Sequence, residues 1–211
     1  MGTLSQGGGE RMSRTRRSVR KEAGFTLVEM AIVLIIIGLI IGAILKGQDL
    51  IDNARGKRFA SFARGVEVSQ WAYYDRFGRF AGDDNKDGQI GGAGDTENAV
   101  SILDGELDGF SDQVSLGSST FYPTFGVNGT TSKKNYMLLT THSTTPAAFN
   151  DGDVIYTRSF DVAIDGDANA QAGSVQAVTA ATTAAGKASA LTFLASPTWD
   201  TTVKGMVYFF D

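Results

Sequence analysis

The chain has 211 residues, 42% of them hydrophobic and 20% charged, with a formal net charge of −4 and no cysteine. A disulfide framework, a thiolate zinc centre, an iron–sulfur cluster and a cysteine nucleophile each need a thiol and are excluded. The single histidine, His142, excludes a multi-histidine metal site.

The charge is distributed unevenly. Residues 1–24 carry six basic and two acidic side chains, residues 25–80 seven and five, and residues 81–211 six and sixteen. The order is therefore a basic tail, an apolar run and an acidic head. An acidic head repels phosphates, which argues against nucleic-acid binding through it.

Residues 25–45, FTLVEMAIVLIIIGLIIGAIL, hold only Thr26 and Glu29 as polar side chains. As a helix rising about 1.5 Å per residue the run spans roughly 31 Å, enough to cross a bilayer once. Basic residues before it and acidic ones after it predict a cytoplasmic N-terminus and an extracytoplasmic head. A cleavable secretory signal would be shorter and would end in small residues, whereas Lys46, Gly47, Gln48 and Asp49 follow here. Glu29 fits neither a plain anchor nor such a signal. A carboxylate at membrane depth costs about 2–3 kcal/mol unless paired, so it is a functional candidate in search of a partner, unless it lies at headgroup level.

The string Lys21-Glu22-Ala23-Gly24-Phe25-Thr26-Leu27-Val28-Glu29 resembles the processing site of type IV prepilins and type II secretion pseudopilins. The resemblance implies that a prepilin peptidase removes residues 1–24 as a leader, cuts after Gly24 and methylates the new N-terminal Phe25. It also implies that Glu29 pairs with the N-terminal amine of a neighbouring subunit during assembly. The implied fold is α+β and pilin-like: a long N-terminal helix, its first half transmembrane, packed on an antiparallel sheet head. The implied partners are other pilin-like subunits, an inner-membrane assembly platform and a cytoplasmic ATPase. The chain would rest in the bacterial inner membrane before joining a periplasmic pseudopilus or an extracellular pilus. The leader is long and begins with a glycine-rich stretch, and Met12 offers an alternative start.

The helical pattern continues over residues 46–80. Phe59, Phe62, Ala63, Val66, Tyr73, Tyr74 and Phe77 recur on one stripe of an amphipathic helix, predicting that its second half packs on the head. Gly38 and Gly42 form a small-xxx-small pair that allows close helix approach, or a place where a packed helix melts.

The head, residues 81–211, opens with Asp83-Asp84-Asn85-Lys86-Asp87-Gly88, whose alternating oxygens match the first half of a calcium-binding EF-hand loop. Candidate Ca2+ ligands are Asp83, Asn85, Asp87 and Asp95, the last one residue beyond the position where that loop carries its bidentate glutamate. The other reading is a solvated acidic turn. A second acidic group, Asp161, Asp165, Asp167 and Asn169, reads as a turn between strands. Strands are predicted at 135–141, 154–157, 160–164, 191–194 and 205–210, and the Ala/Thr/Ser-rich residues 175–190 as a loop or small helix.

No catalytic set emerges. His142 defines no triad, Gly91-Gly92-Ala93-Gly94 lacks the lysine of a phosphate loop, and the adjacent Asp83 and Asp84 point away from each other. Two functions remain: a filament subunit that is not an enzyme, or a monomeric membrane-anchored protein whose extracytoplasmic head binds a ligand or calcium. Cleavage after Gly24 with methylation of Phe25 separates them.

Overall fold

A computed structural model describes residues 24–128, 134–184 and 187–210. Most of the expected leader, residues 1–23, lies outside the described residues, as does its alternative start at Met12. The chain divides into two units, one ending at Ile44 and one beginning at Leu45. In the first, the described residues form the start of α1 (Leu27–Phe77), whose large apolar side chains from Leu27 to Leu45 are all exposed, at 43% or more. An 18-residue window of this helix has a mean hydropathy of 2.9 and none of it is buried, so the helix is long and apolar enough to cross a membrane.

The second unit is a mixed α+β head. It contains the rest of α1, then α2 (Ala99–Glu106), β1 (Val114–Leu116), β2 (Ser119–Asn128), β3 (Lys134–Thr140), α3 (Asp151–Asp165), β4 (Val175–Ala184), β5 (Lys187–Phe193) and β6 (Gly205–Phe210). The sheet order is β1-β2-β3-β6-β4-β5, antiparallel throughout except for a parallel pairing of β5 with β2 at Phe125 and Lys187 that closes it into a ring.

Period-two alternation sorts the strands between two cores. Met137, Leu139, Met206, Tyr208 and Phe210 face the helices, where they join Phe59, Ala63, Val66 and Tyr73 of α1. Tyr136, Leu138, Val178, Ala188 and Val207 pack on the other side. Phe59 sits edge-on to Phe121 at 4.9 Å and to Phe160 at 5.9 Å, joining α1 to the sheet and to α3. The fully buried Gln70 donates to the Ala81 carbonyl at 3.4 Å and accepts the Ala81 N–H at 3.1 Å, which fixes the chain as it leaves α1. Of the predicted stripe, Phe59, Ala63, Val66 and Tyr73 are buried, whereas Tyr74 and Phe77 are 41% and 42% exposed.

Three predicted segments differ. Residues 154–157 and 160–164 are not strands but parts of α3. Asn150 and Asp153 form a reciprocal capping box there, and Gly166 ends the helix in the left-handed region at φ 85°. The alternation of Val154, Tyr156, Phe160 and Val162 resembles a strand, yet Asp153, Thr157 and Asp161 with Tyr156 and Phe160 are the buried face of a helix. Asp165 is accordingly a helix end, not a turn between strands. Residues 175–190 are not a loop or helix: within the described residues they form β4 and the start of β5, which pair with each other, β4 pairing also with β6 and β5 meeting β2.

Candidate functional site

Gly24 and Phe25 precede α1 in irregular, exposed backbone, Phe25 being 80% exposed. A Cβ added to Gly24 would meet nothing within 4 Å, so the glycine is not there for packing. The peptide bond between them is open to approach.

Helix α1 starts with a cap that sequence reading missed. Thr26 donates its backbone N–H to Glu29 Oε2 at 2.7 Å and its hydroxyl to the same oxygen at 2.9 Å, while Thr26 Oγ1 accepts the Glu29 N–H at 3.2 Å. This is the reciprocal capping box, whose T-x-x-E spacing was visible as Thr26-Leu27-Val28-Glu29. The cap gives Glu29 two hydrogen-bond donors within its own chain and no cation. The cap thus joins Glu29 to Thr26, the residue after Phe25.

In the head, residues 83–97 form a loop dense in hydrogen bonds of its own. Asp83, 1% exposed, accepts the N–H groups of Asp87 at 3.1 Å and Gly88 at 3.0 Å. Asn85 Oδ1 also accepts the Asp87 N–H, Asp87 Oδ1 accepts the Gln89 N–H, and Asp95 Oδ1 accepts those of Asp84 and Asn85. Burial opposes ionisation of Asp84, but hydrogen bonds from Thr96 and Glu97 outweigh it and hold its carboxyl below the usual range. Arg79, just after α1, ties the loop down through Glu97 at 2.9 Å and the Asp83 carbonyl at 3.1 Å, and Lys187 donates to the Asp95 carbonyl. All four predicted calcium ligands therefore share this loop, with most of their oxygens turned toward its backbone. Among the described residues no three His, Cys, Asp or Glu side chains form a group able to hold a metal ion. Three buried oxygens of this loop have no donor, Asp84 Oδ1, Gln89 Oε1 and Asp95 Oδ2, and the last two stand 3.4 and 3.5 Å from where a Gly92 Cβ would be.

The second acidic group has a different centre. Asp161, fully buried, accepts the Trp199 indole N–H at 2.8 Å on Oδ2, and its Oδ1 has no partner. Burial, reinforced by the charges of Asp165 and Asp167, raises its pKa to about 6 against the lowering by Trp199. Asp165 accepts the N–H groups of Ser174 at 3.0 Å and Val175 at 2.8 Å, fixing the entry to β4.

No curated protein and no solved structure matches the chain significantly. Residues 19–45 match the model of the prokaryotic N-terminal methylation motif, a stretch that includes the open Gly24–Phe25 bond, the Thr26–Glu29 cap and the apolar run of α1. The chain thus carries the N-terminal signature of type IV prepilin-like proteins.

Proposed function

We propose that this chain is the precursor of a structural subunit of a type IV pilus or type II secretion pseudopilus. A prepilin peptidase cuts between Gly24 and Phe25 and methylates Phe25. The protein inserts with its N-terminus cytoplasmic and its head outside, and it polymerises with other pilin-like subunits through the apolar part of α1, driven by an inner-membrane platform and ATPase. The supporting observation is the pairing of the methylation signature with a helix start whose apolar side chains, Leu27 to Leu45, are all exposed. Such a surface needs lipid before assembly and other subunits after it. Mass spectrometry of protein recovered from its cell tests this: an N-methylated Phe25 at the N-terminus supports the reading, and an intact leader rejects it.

The anchored-binder reading rests on donor-less oxygens in the head loop, above all Asp95 Oδ2 and Gln89 Oε1, which both lie beside Gly92. A buried acceptor without a donor is costly, and a hard cation satisfies oxygens of this kind. Under this reading Asp95 and Gln89 hold Ca2+ directly, and Asp83, Asn85 and Asp87 shape the loop around it. A filament subunit is compatible with such a site, so calcium binding alone does not choose between the readings.

A further inference from the structure

Within the head unit, α1 turns one face to the sheet and the opposite face to solvent. Gly56, Phe59, Ala63, Val66, Gln70 and Tyr73 are buried. Lys46, Leu50, Lys57, Ser61, Arg64 and Val68 recur at helical spacing and are all exposed, Leu50 and Val68 each at 63%. At 3.6 residues per turn the centres of these two stripes lie about 160° apart around the helix. From Lys46 to Val68 the outer stripe carries three cations and no acid, and its next exposed position is Asp75. Lys46 meets only the exposed Asp49, at 3.8 Å, and Lys57 and Arg64 form no ion pair among the described residues.

An opposite charge lies elsewhere on the same unit. Asp104, Glu106, Asp108 and Asp112, at the end of α2 and in the turn after it, are all exposed, with no basic residue between them and no ion pair among the described residues. This segment is held beside α1: Gly109, Phe110 and Ser111 border a cleft with Phe62, Gly65 and Ser69, and Arg76 donates to the Glu106 carbonyl at 3.1 Å. Phe62, Gly65 and Ser69 lie about 100° around the helix from the centre of the basic stripe. No ion pair joins the two patches among the described residues of one chain.

The geometry points to an interface between copies, in which the stripe Lys46, Leu50, Lys57, Ser61, Arg64 and Val68 of one copy docks on the acidic segment 104–112 of the next. The occupant is a second copy because both complementary patches belong to this chain. Taken head-to-tail, as a filament requires, the contact repeats along an open array, and a symmetric dimer made from the same two patches would stop at two copies. Leu50 and Val68 supply the apolar area, and the charges fix register and exclude wrong approaches. This inference rests on the assembly reading above and names the surface that assembly uses outside the membrane.

A chain free of cysteine allows a direct test. Ser61→Cys and Ser111→Cys are introduced together in the full-length protein, in cells that assemble it, and the cells are mildly oxidised. The expected result is a ladder of disulfide-linked dimers, trimers and higher species, with each single variant giving dimers at most. In parallel, Lys57→Glu with Arg64→Glu lowers filament yield at least tenfold, and adding Asp104→Lys with Asp108→Lys restores it. Normal filaments with no ladder and no response to the charge reversals overturn the interface and leave the assembly reading standing. An unmodified chain that never enters a filament overturns both.

Discussion

Thr26 and Glu29 hold each other at the start of α1: two donors of Thr26 converge on one carboxylate oxygen of Glu29, at 2.7 and 2.9 Å. The carboxylate that the assembly reading gives to a neighbour's amine is thus already seated in its own chain. Under that reading the other oxygen serves the amine, and the cap orients the acceptor before the partner arrives.

Substitution at Glu29 separates the two roles. Glu29→Gln keeps an oxygen for the cap and loses the charge, whereas Glu29→Ala loses both, at a cost of about 1 kcal/mol for the helix end. Both variants are expected to insert in the membrane, and both to lower filament yield at least tenfold by electron microscopy. Wild-type filament yield from Glu29→Gln would show that capping is the whole role.

Gly24 tests processing without disturbing the fold. Since nothing lies within 4 Å of an added Cβ there, Gly24→Val is expected to leave the melting temperature of the head unchanged while blocking maturation. Mass spectrometry then finds Phe25 internal to an uncut, unmethylated chain.

Asp161 predicts an unusual pH dependence. Its carboxyl is raised to about 6, chiefly by burial, from an ordinary value near 4 in the unfolded chain. The neutral form is favoured by folding, so its contribution is full below about pH 4 and is lost as pH rises through about 6. The head should lose on the order of 2 kcal/mol between those values, then level off. Asp161→Asn keeps an acceptor for Trp199 and should flatten this part of the profile, read by tryptophan fluorescence of full-length protein in detergent.

Gly126 is required by a close approach. An added methyl would collide with the Ala188 carbonyl and with the ring and hydroxyl of Tyr136, which donates to that same carbonyl at 2.8 Å. Gly126→Ala is expected to cost about 3 kcal/mol or more by forcing β2 from β5, and Tyr136→Phe about 1 kcal/mol by removing a buried hydrogen bond. Thermal melts rank the two.

Calcium titration tests the head loop. With an affinity near millimolar, tenfold excess Ca2+ stabilises by about 1.4 kcal/mol, a rise of roughly 3–5 °C in melting temperature. Asp95→Asn should abolish the rise, and Lys204→Gln should not. No rise in the unmodified protein would leave the loop to its own hydrogen bonds.

The N-terminal half was legible because its signals are local and unambiguous: a long apolar run, a basic flank and a fixed processing string. The strands at 135–141 and 205–210 were legible for the same reason, since alternate residues enter two different cores. Residues 154–164 were not, because a helix buried on one face by Tyr156 and Phe160 carries Val154 and Val162 at spacings that mimic a strand. The capping box of Asn150 and Asp153 was the signal that could have decided it. Residues 175–190 failed for want of bulk: alanine and threonine show little periodicity, and their strand state is imposed by β6 and β2. The trap at Asp161 was invisible, since Trp199 comes from 38 positions away.

The ring closed by Phe125 and Lys187 bears on crowding. An open sheet ends in a row of unpaired N–H and C=O groups that invites another sheet to add its strands, a standing hazard wherever many copies are held side by side. Here β5, which would otherwise be such a border, is turned back onto β2. The free border that remains is β1, only three residues long, so the described sheet offers a neighbouring copy little backbone to pair with.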